Sequence, residues 1–198
     1  MPFIKTIAIQ KVKTTVPSGP ALPNPTCAVA AGEHSLYSNS IGRVWGWGYN
    51  AQGQVGNNSI VDIEIPVSVL GAAKTFLKIA ASQNHSLAID KNGQVWAWGW
   101  NGQGQLGDNS ITSRRTPVSV AGAVKTIYEI SVGQNNSYGI DGTGLVWSWG
   151  FNSSGQLGDN TTISKNTPVS ITGARKTFCK ISSGDSHVLG LTHRGGLS

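Results

Sequence analysis

Apolar and polar residues alternate along most of this chain in short runs that end at Gly, Asn or Pro. No stretch keeps the amphipathic period of an α-helix over several turns. Short alternating runs bounded by turn residues are typical of β-strands. The pattern therefore predicts an almost all-β chain.

The pattern also repeats, with a period of 51 residues. A pair of tryptophans two residues apart marks each copy, and a glycine-rich turn such as GQLGDN follows each pair. A repeat of this size with an aromatic and glycine signature matches one four-stranded propeller blade. We therefore predict an all-β fold built of β-propeller blades. The tryptophans, which we expect to pack as core between blades, are Trp45, Trp47, Trp96, Trp98, Trp147 and Trp149.

The predicted strands do not fill a whole number of blades. An apolar segment that ends in Gly, Ser and His or Asn occurs four times, whereas the tryptophan strand occurs three times. Residues 27–198 therefore hold about three and a half blades, and propellers close with about 4 to 8. A partial ring exposes two β-edges, which proteins cover or pair.

Three arrangements would complete the ring. We expect self-association first, with the end near Ser198 of one chain joined to the start near Cys27 of another. One alternative is a strand donated by residues 3–16, which would close a four-bladed monomer. The other is docking of the open edge onto another protein.

Residues 1–26 lie outside the repeat and form a predicted basic arm. Residues 3–16 alternate apolar and polar side chains, and the following VPSGPALPNP holds four of the eight prolines. This predicts a strand and then a stiff extended linker, ahead of a propeller repeat domain at 27–198. Lysines interrupt the apolar residues near the N-terminus, so we expect neither a secretion signal nor a membrane span.

The net charge of +6 is concentrated in the arm. Of the 15 Lys and Arg residues, three lie in residues 1–26 together with no acidic residue, and the 9 acidic residues are all in the repeats. The small remaining excess is ordinary surface charge, so nucleic acid is not the expected partner. Cys27 and Cys179 lie near opposite ends of the array, and we expect isolated thiols rather than a disulfide.

The string W-x-W-G-x-N-x-x-G-Q-L-G-D-N, followed by P-V, resembles the regulator of chromosome condensation repeat. The resemblance covers residues 27–198 and implies a ring of about seven blades, of which this chain supplies about half. The uniform spacing and short loops resemble bacterial and phage members of the family. No insertion resembles the wedge with which the nuclear exchange factor contacts its GTPase, so the resemblance implies no exchange activity.

One aromatic residue per unit stands two positions after the second tryptophan, just before the N-x-x-G turn. These residues are Tyr49, Trp100 and Phe151. Aromatic side chains at equivalent strand ends would form a patch at one mouth of the propeller, where they could contact a partner. The other interpretation is that they extend the packing of the tryptophan pairs.

The loops between the glycine turn and the proline differ most among the copies, and their charge changes from one copy to the next. Variable loops on a regular scaffold are where repeat proteins carry binding sites, although drift on a tolerant surface gives the same pattern. The charged candidates for partner binding are Asp62, Glu64, Arg114, Arg115 and Lys165.

The histidines do not indicate a metal site. His34, His85 and His187 occur once per unit, and Asn136 takes the place of histidine in the remaining copy. A metal ion needs several ligands converging on one point, so we expect these side chains to hydrogen-bond turns instead. No phosphate-binding loop, nucleophile motif or zinc helix occurs, and we expect no cofactor and no enzyme activity.

These observations favour a non-catalytic protein-interaction or structural module. The arm and linker indicate attachment to a larger assembly, for which a virion is one candidate, with the ring completed by self-association. The alternative is a chromatin- or nucleic-acid-binding regulator whose arm lysines contact phosphates. The sequence leaves the identity of the partner and the cellular compartment open.

Overall fold

The computed structural model describes residues 28–71, 75–122, 126–172, 177–185 and 187–192. The predicted arm and Cys27 lie outside these residues. Every regular element in the described part is a β-strand, which confirms the all-β prediction. No helix there is long and apolar enough to cross a bilayer.

The strands form three four-stranded antiparallel sheets and one two-stranded sheet. In each sheet the strands are neighbours in chain order, so one 51-residue repeat makes one meander. The first sheet contains β1 (Ala28–Ala31), β2 (His34–Ser38), β3 (Val44–Gly48) and β4 (Ile63–Ser68). The second contains β5 (Phe76–Ala81), β6 (His85–Asp90), β7 (Val95–Gly99) and β8 (Arg114–Ser119). The third contains β9 (Ile127–Val132), β10 (Asn136–Asp141), β11 (Val146–Gly150) and β12 (Lys165–Ser170), and the last contains β13 (Phe178–Ser183) and β14 (Val188–Thr192).

The sheets stack as propeller blades around a common axis. The first strand of each sheet contacts the first strand of the next, from β1 to β5, β9 and β13. The fourth strands, β4, β8 and β12, lie at the outer edges. Within the described ranges, no comparable contact joins β1 to β13 or β14. The array is therefore an open arc of three complete blades and the first half of a fourth, as predicted.

The core lies between blades rather than within one sheet. Leu36, Val44 and Val69 of the first blade pack against Phe76 and Trp98 of the second. A second cluster joins the second blade to the third in the same way, and a third joins the third blade to the half-blade. A single blade would leave its apolar face in water, so the blades depend on one another for stability.

The two tryptophans of a pair are buried to different extents. Trp98 and Trp149, the second members, are fully buried. Trp96 and Trp147, the first members, are half-buried, and their indole N–H groups donate to Asp90 and Asp141, each at 3.0 Å.

Trp47, the second member in the first blade, is only partly buried because no described blade precedes it. Trp45, the first member there, is partly buried as well and lies beside the ring of Tyr37.

A glycine in the preceding blade makes room for each buried indole. Gly56 and Gly107 adopt positive φ angles of 82° and 68°. A Cβ atom on Gly56 would lie 2.8 Å from Nε1 of Trp98, and one on Gly107 would lie 2.8 Å from Nε1 of Trp149. Backbone conformation and close approach both require glycine here.

A candidate protein-interaction face

The aromatic candidates of the sequence lie at one end of the blades, where two kinds of turn meet. The hairpin between the first and second strands faces the residue that follows the tryptophan strand. Backbone N–H groups of Tyr49, Trp100 and Phe151 donate to carbonyl oxygens of Glu33, Asn84 and Asn135, at 3.2, 2.8 and 2.9 Å. Each aromatic residue is therefore fixed to the innermost hairpin of its own blade, at the same mouth of the arc.

The side chains at these positions remain accessible. Tyr49 is 37% exposed, whereas Trp100 and Phe151 are half-buried. The Trp100 ring packs over Gly102, where a Cβ would lie 2.7 Å from a ring atom. Backbone anchoring together with partial burial leaves the rings ordered, with area still available for a partner.

An asparagine in each unit organises the loop beside the aromatic residue, and sequence reasoning missed this role. Asn101 is fully buried. Its Oδ1 accepts from the backbone of Leu106 at 2.9 Å, and its Nδ2 donates to Asp108 at 3.0 Å and to the carbonyls of Ser110 and Thr112 at 3.1 and 3.2 Å. Asn50 and Asn152 repeat this network. The first asparagine of the N-x-x-G turn is the signal that marks it.

Several of the charged loop candidates serve the structure of their own loops. Arg114 donates from Nε to Oδ2 of Asp108 at 2.8 Å, and Lys165 lies 3.5 Å from Asp159. Asp62 accepts from the backbone N–H of Asn50 at 2.8 Å. The side chains of Glu64 and Arg115 are exposed on the outer strands.

Hydrogen bonding keeps the loop carboxylates ionised. Burial raises the pKa of Asp108, but hydrogen bonds from Ser110 and Arg114 outweigh it, so the pKa lies below its ordinary value. For Asp159, burial likewise opposes the hydrogen bonds from Thr161, and the pKa is again lowered. These carboxylates act as fixed anchors for loop donors at neutral pH.

The centre of the mouth is polar and tightly packed. Gln134 donates from Nε2 to Oε1 of Gln83 at 2.8 Å, which links two inner hairpins. A small open cleft of about 190 Å³ is bounded by both glutamines, Ser82, Gly133 and Asp185, among others. Pockets for drug-sized ligands usually measure about 300 to 1,000 Å³. The mouth therefore offers a surface for a macromolecule rather than a pocket for a small molecule.

Two of the repeated histidines link neighbouring blades. Nε2 of His34 lies 2.7 Å from Oγ of Ser86, and Nε2 of His85 lies 2.9 Å from Oγ of Ser137. Burial lowers the pKa of His34 to about 4 and that of His85 to about 3. Both imidazoles are neutral near pH 7.

Asn136, which replaces histidine in the third blade, donates from its side chain to the carbonyl of Phe151. Among the described residues, no group of His, Cys, Asp and Glu side chains converges as metal ligands would. Cys179 is a partly buried free thiol.

Four-stranded meanders stacked around an axis, with one aromatic residue per blade at a shared mouth, define a β-propeller array with an interaction face. The family model described as "Regulator of chromosome condensation (RCC1) repeat" matches residues 42–89, 92–140 and 143–191. The chain belongs to this family, as the tryptophan and glycine motifs indicated.

Two curated relatives share about a third of their aligned residues with this chain. The probable E3 ubiquitin-protein ligase HERC6 of Homo sapiens is 34% identical over 173 residues, which is 82% of this chain and 17% of that protein. The protein RCC2 homolog of Xenopus laevis is 34% identical over 139 residues, which is 68% of this chain and 27% of that protein. Both relatives are eukaryotic and give no support to the bacterial or phage type.

Solved structures show the same fold. Human WBSCR16 matches with a TM-score of 0.77 and 24% identity, over 84% of this chain and 45% of that one. Yeast RCC1 (Prp20), in a crystal structure with Kap60, matches with a TM-score of 0.74 and 19% identity, over 83% of this chain and 42% of that one. The chain thus spans less than half the length of each of these proteins. Their activities as whole proteins are not assigned to it.

Proposed function

We propose that this chain is a non-catalytic protein-interaction module that binds its partner through the mouth of the arc. The observation that carries the proposal is the repeated aromatic position formed by Tyr49, Trp100 and Phe151. Each is tied by its backbone to an inner hairpin and keeps accessible ring surface. The RCC1 family membership supports a binding role for the fold as a whole.

The energetics favour these rings as binding residues. Aromatic side chains dominate interface hot spots because they bury a large area and lose little conformational entropy on binding. Here the hairpin bonds and the packing of Trp100 over Gly102 have already restricted the rings before a partner arrives. Preorganisation of this kind lowers the entropic cost of association.

The surroundings of the rings indicate the chemistry of the partner. Gln83 and Gln134 at the centre of the mouth are neutral and can both donate and accept hydrogen bonds. Arg114 and Lys165, on the loops beside the rings, already have acidic neighbours in their own loops. We expect a protein surface that offers apolar side chains and neutral polar groups.

Site-specific photo-crosslinking tests the proposal. A benzophenone amino acid replaces Tyr49, Trp100 or Phe151 in separate variants, and Ile41 or Leu70 at the opposite end of the first blade in control variants. The proposal expects one protein to be captured from all three mouth positions and from neither control. Capture of that protein at the control positions, or of unrelated proteins at the three mouth positions, would contradict it.

Nucleic-acid binding is the second candidate, and it rests on the three lysines of residues 1–26 with no acidic residue beside them. A phosphate-binding arm would lose DNA affinity steeply as salt rises. A titration of labelled duplex DNA from low to physiological salt tests this. Binding at low salt that disappears on deletion of residues 1–26 would support the candidate, and no binding at low salt would reject it.

Closure of the ring by a second copy stays a prediction. The half-blade holds the first two strands of its unit, and the chain begins with a complete blade. Two copies joined end to start would therefore bring together two equal half-blades, each still missing its outer strands, unless residues 1–26 supply them. Sedimentation velocity decides whether the 20.7 kDa chain is a dimer at micromolar concentration. A place in a virion draws no support from the relatives above.

A further inference from the structure

The open end of the arc exposes a sheet edge. In the complete blades the second strand pairs on both sides, as β6 pairs with β5 and β7. Within the described residues, β14 pairs with β13 alone. Leu189 and Leu191 on β14 are 68% and 64% exposed. The edge lacks the strand that would carry the next tryptophan pair.

The complete blades show what such a strand brings. In the second blade, Trp98 inserts against Gly56 of the first, and its Nε1 donates to the carbonyl of Gln54 at 2.8 Å. In the third blade, Trp149 inserts against Gly107 of the second. The interface between blades is thus built around an indole slot with a glycine floor.

The same slot is unfilled at the half-blade. Gly158 is the equivalent of Gly56 and Gly107, and a Cβ there would meet only Ile171, at 3.2 Å or more. An open cleft of about 370 Å³ lies above it, bounded also by Phe178 and Val188. An indole side chain in the other two interfaces occupies this position.

The polar groups of the slot have changed in a consistent way. The carbonyl of Gln54 accepts from Ser86 at 2.9 Å as well as from Trp98. The equivalent carbonyl of Gln156 accepts from the hydroxyl of Tyr138 at 3.2 Å, and valine stands at position 188 in place of that serine. A carbonyl oxygen has two lone pairs, so Gln156 can accept one further N–H, such as that of an indole.

The groove continues towards the outer edge of the blade. Asn58 and Asn109, both in the left-handed conformation, donate from their backbone N–H groups to the outer strand of the following blade, at 3.0 and 2.9 Å. Asn160 has the same conformation and lies in a second open cleft of about 600 Å³, which shares Gly155 and Gly158 with the first. The two clefts follow the path of a strand and the turn beyond it.

We propose that this groove binds a tryptophan-bearing β-strand of another protein, which pairs antiparallel to β14 and places its indole on Gly158. The antiparallel direction is that of β6 with β7 and of β10 with β11. Apart from Trp100 at the mouth, the tryptophans of a second copy already belong to the pairs of complete blades, and residues 1–26 contain none. A second copy would have to open a blade to donate one, so a different protein is the occupant.

A peptide taken from the chain's own third blade provides the probe. A fluorescein-labelled peptide with the sequence of residues 145–159, LVWSWGFNSSGQLGD, holds the strand and turn that fill the equivalent groove. We expect saturable binding by fluorescence anisotropy. Replacing the second tryptophan of the peptide by alanine should weaken binding at least about tenfold, since a buried indole is lost. Equal binding of the two peptides would overturn the proposal.

Variants of the protein locate the binding site. Gly158→Asn suits the left-handed conformation and puts a side chain into the slot, so it should keep the thermal unfolding temperature and lose peptide binding at least about tenfold. Val188→Phe fills the same cleft from β14 and should act alike. Gly107→Asn, the matched control in a filled slot, should lower the unfolding temperature because it displaces Trp149.

Three outcomes would contradict the proposal. Undiminished peptide binding by both slot variants would place the peptide elsewhere. No binding by the unmodified chain would show that the groove does not accept a strand in trans. Self-association of the unmodified chain that Gly158→Asn abolishes would make a second copy the occupant.

Discussion

At the residue scale, the buried indoles carry much of the stability of each blade interface. Trp98→Ala removes a fully buried side chain and its hydrogen bond to Gln54, which should lower the free energy of unfolding by about 3 to 5 kcal/mol. Trp47→Ala, at the equivalent position facing no blade, should cost about 1 to 2 kcal/mol. Urea unfolding followed by circular dichroism measures both, and equal losses would show that the slot is not what stabilises Trp98.

The two buried histidines predict a pH dependence of stability. The pKa values of His34 and His85 in the folded chain are about 4 and about 3, below the ordinary 6.5. Below pH 6.5 the unfolded chain therefore binds protons that the folded chain does not, and stability falls as the pH falls. The slope should approach about 1.4 kcal/mol per pH unit for each histidine.

Urea unfolding between pH 7 and pH 5 tests this dependence. The double variant His34→Asn, His85→Asn uses the residue that the third blade already has at this position, and it should flatten the profile. A profile as steep in the double variant as in the original chain would assign the pH dependence to other groups.

Residue spacing could predict which side chains form the core, but not how each is satisfied. The two-residue spacing placed both tryptophans of a pair on one sheet face. It could not show that Asp90 and Asp141 accept from the first indoles, or that the carbonyl of Gln54 accepts from Trp98. These partners lie in other strands or another blade, and their positions depend on the registers between strands.

At the element scale, the loop after each tryptophan strand depends on one buried asparagine. Asn101→Asp keeps the acceptor for Leu106 but replaces the amide donor with an oxygen that faces Asp108 and two carbonyls. We expect a loss of about 3 kcal/mol or more, because buried acceptors lose their donor and like charges meet.

The first blade contains the matched control for this change. In Asn50→Asp the neighbouring side chain is Asn57 rather than an aspartate, and its amide can rotate to donate. Asn50→Asp should therefore lower the unfolding temperature less than Asn101→Asp. Equal effects would show that the carboxylate neighbour is not what makes Asn101→Asp costly.

The variable loops show where prediction of elements stops. Their differences in charge were interpreted as partner contacts or drift. The structure uses Arg114, Lys165 and Asp62 within their own loops, while Glu64 and Arg115 are exposed on the outer strands. A loop charge and its partner lie close in sequence here, yet the loop conformation that joins them follows from Asn101 and its equivalents.

At the scale of the whole molecule, the number of blades followed from counting repeats, because each unit is one meander and packs only on its neighbours. The consequence for closure did not follow from the count alone. The half-blade consists of the inner strands β13 and β14, so the missing part is an outer pair of strands. Only the structure shows that Gly158 and Gln156 form the slot where that pair would dock.

The central claim is that a protein partner binds the aromatic mouth, and affinity measurements on the crosslinked partner test it most directly. The triple variant Tyr49→Ala, Trp100→Ala, Phe151→Ala should bind the purified partner at least about 100-fold more weakly by isothermal titration calorimetry. The control variant Ile41→Ala, Ile65→Ala, Leu70→Ala, which removes exposed apolar side chains away from the mouth, should bind as the original chain does. Unchanged affinity in the triple variant, or an equal loss in the control, would contradict the account.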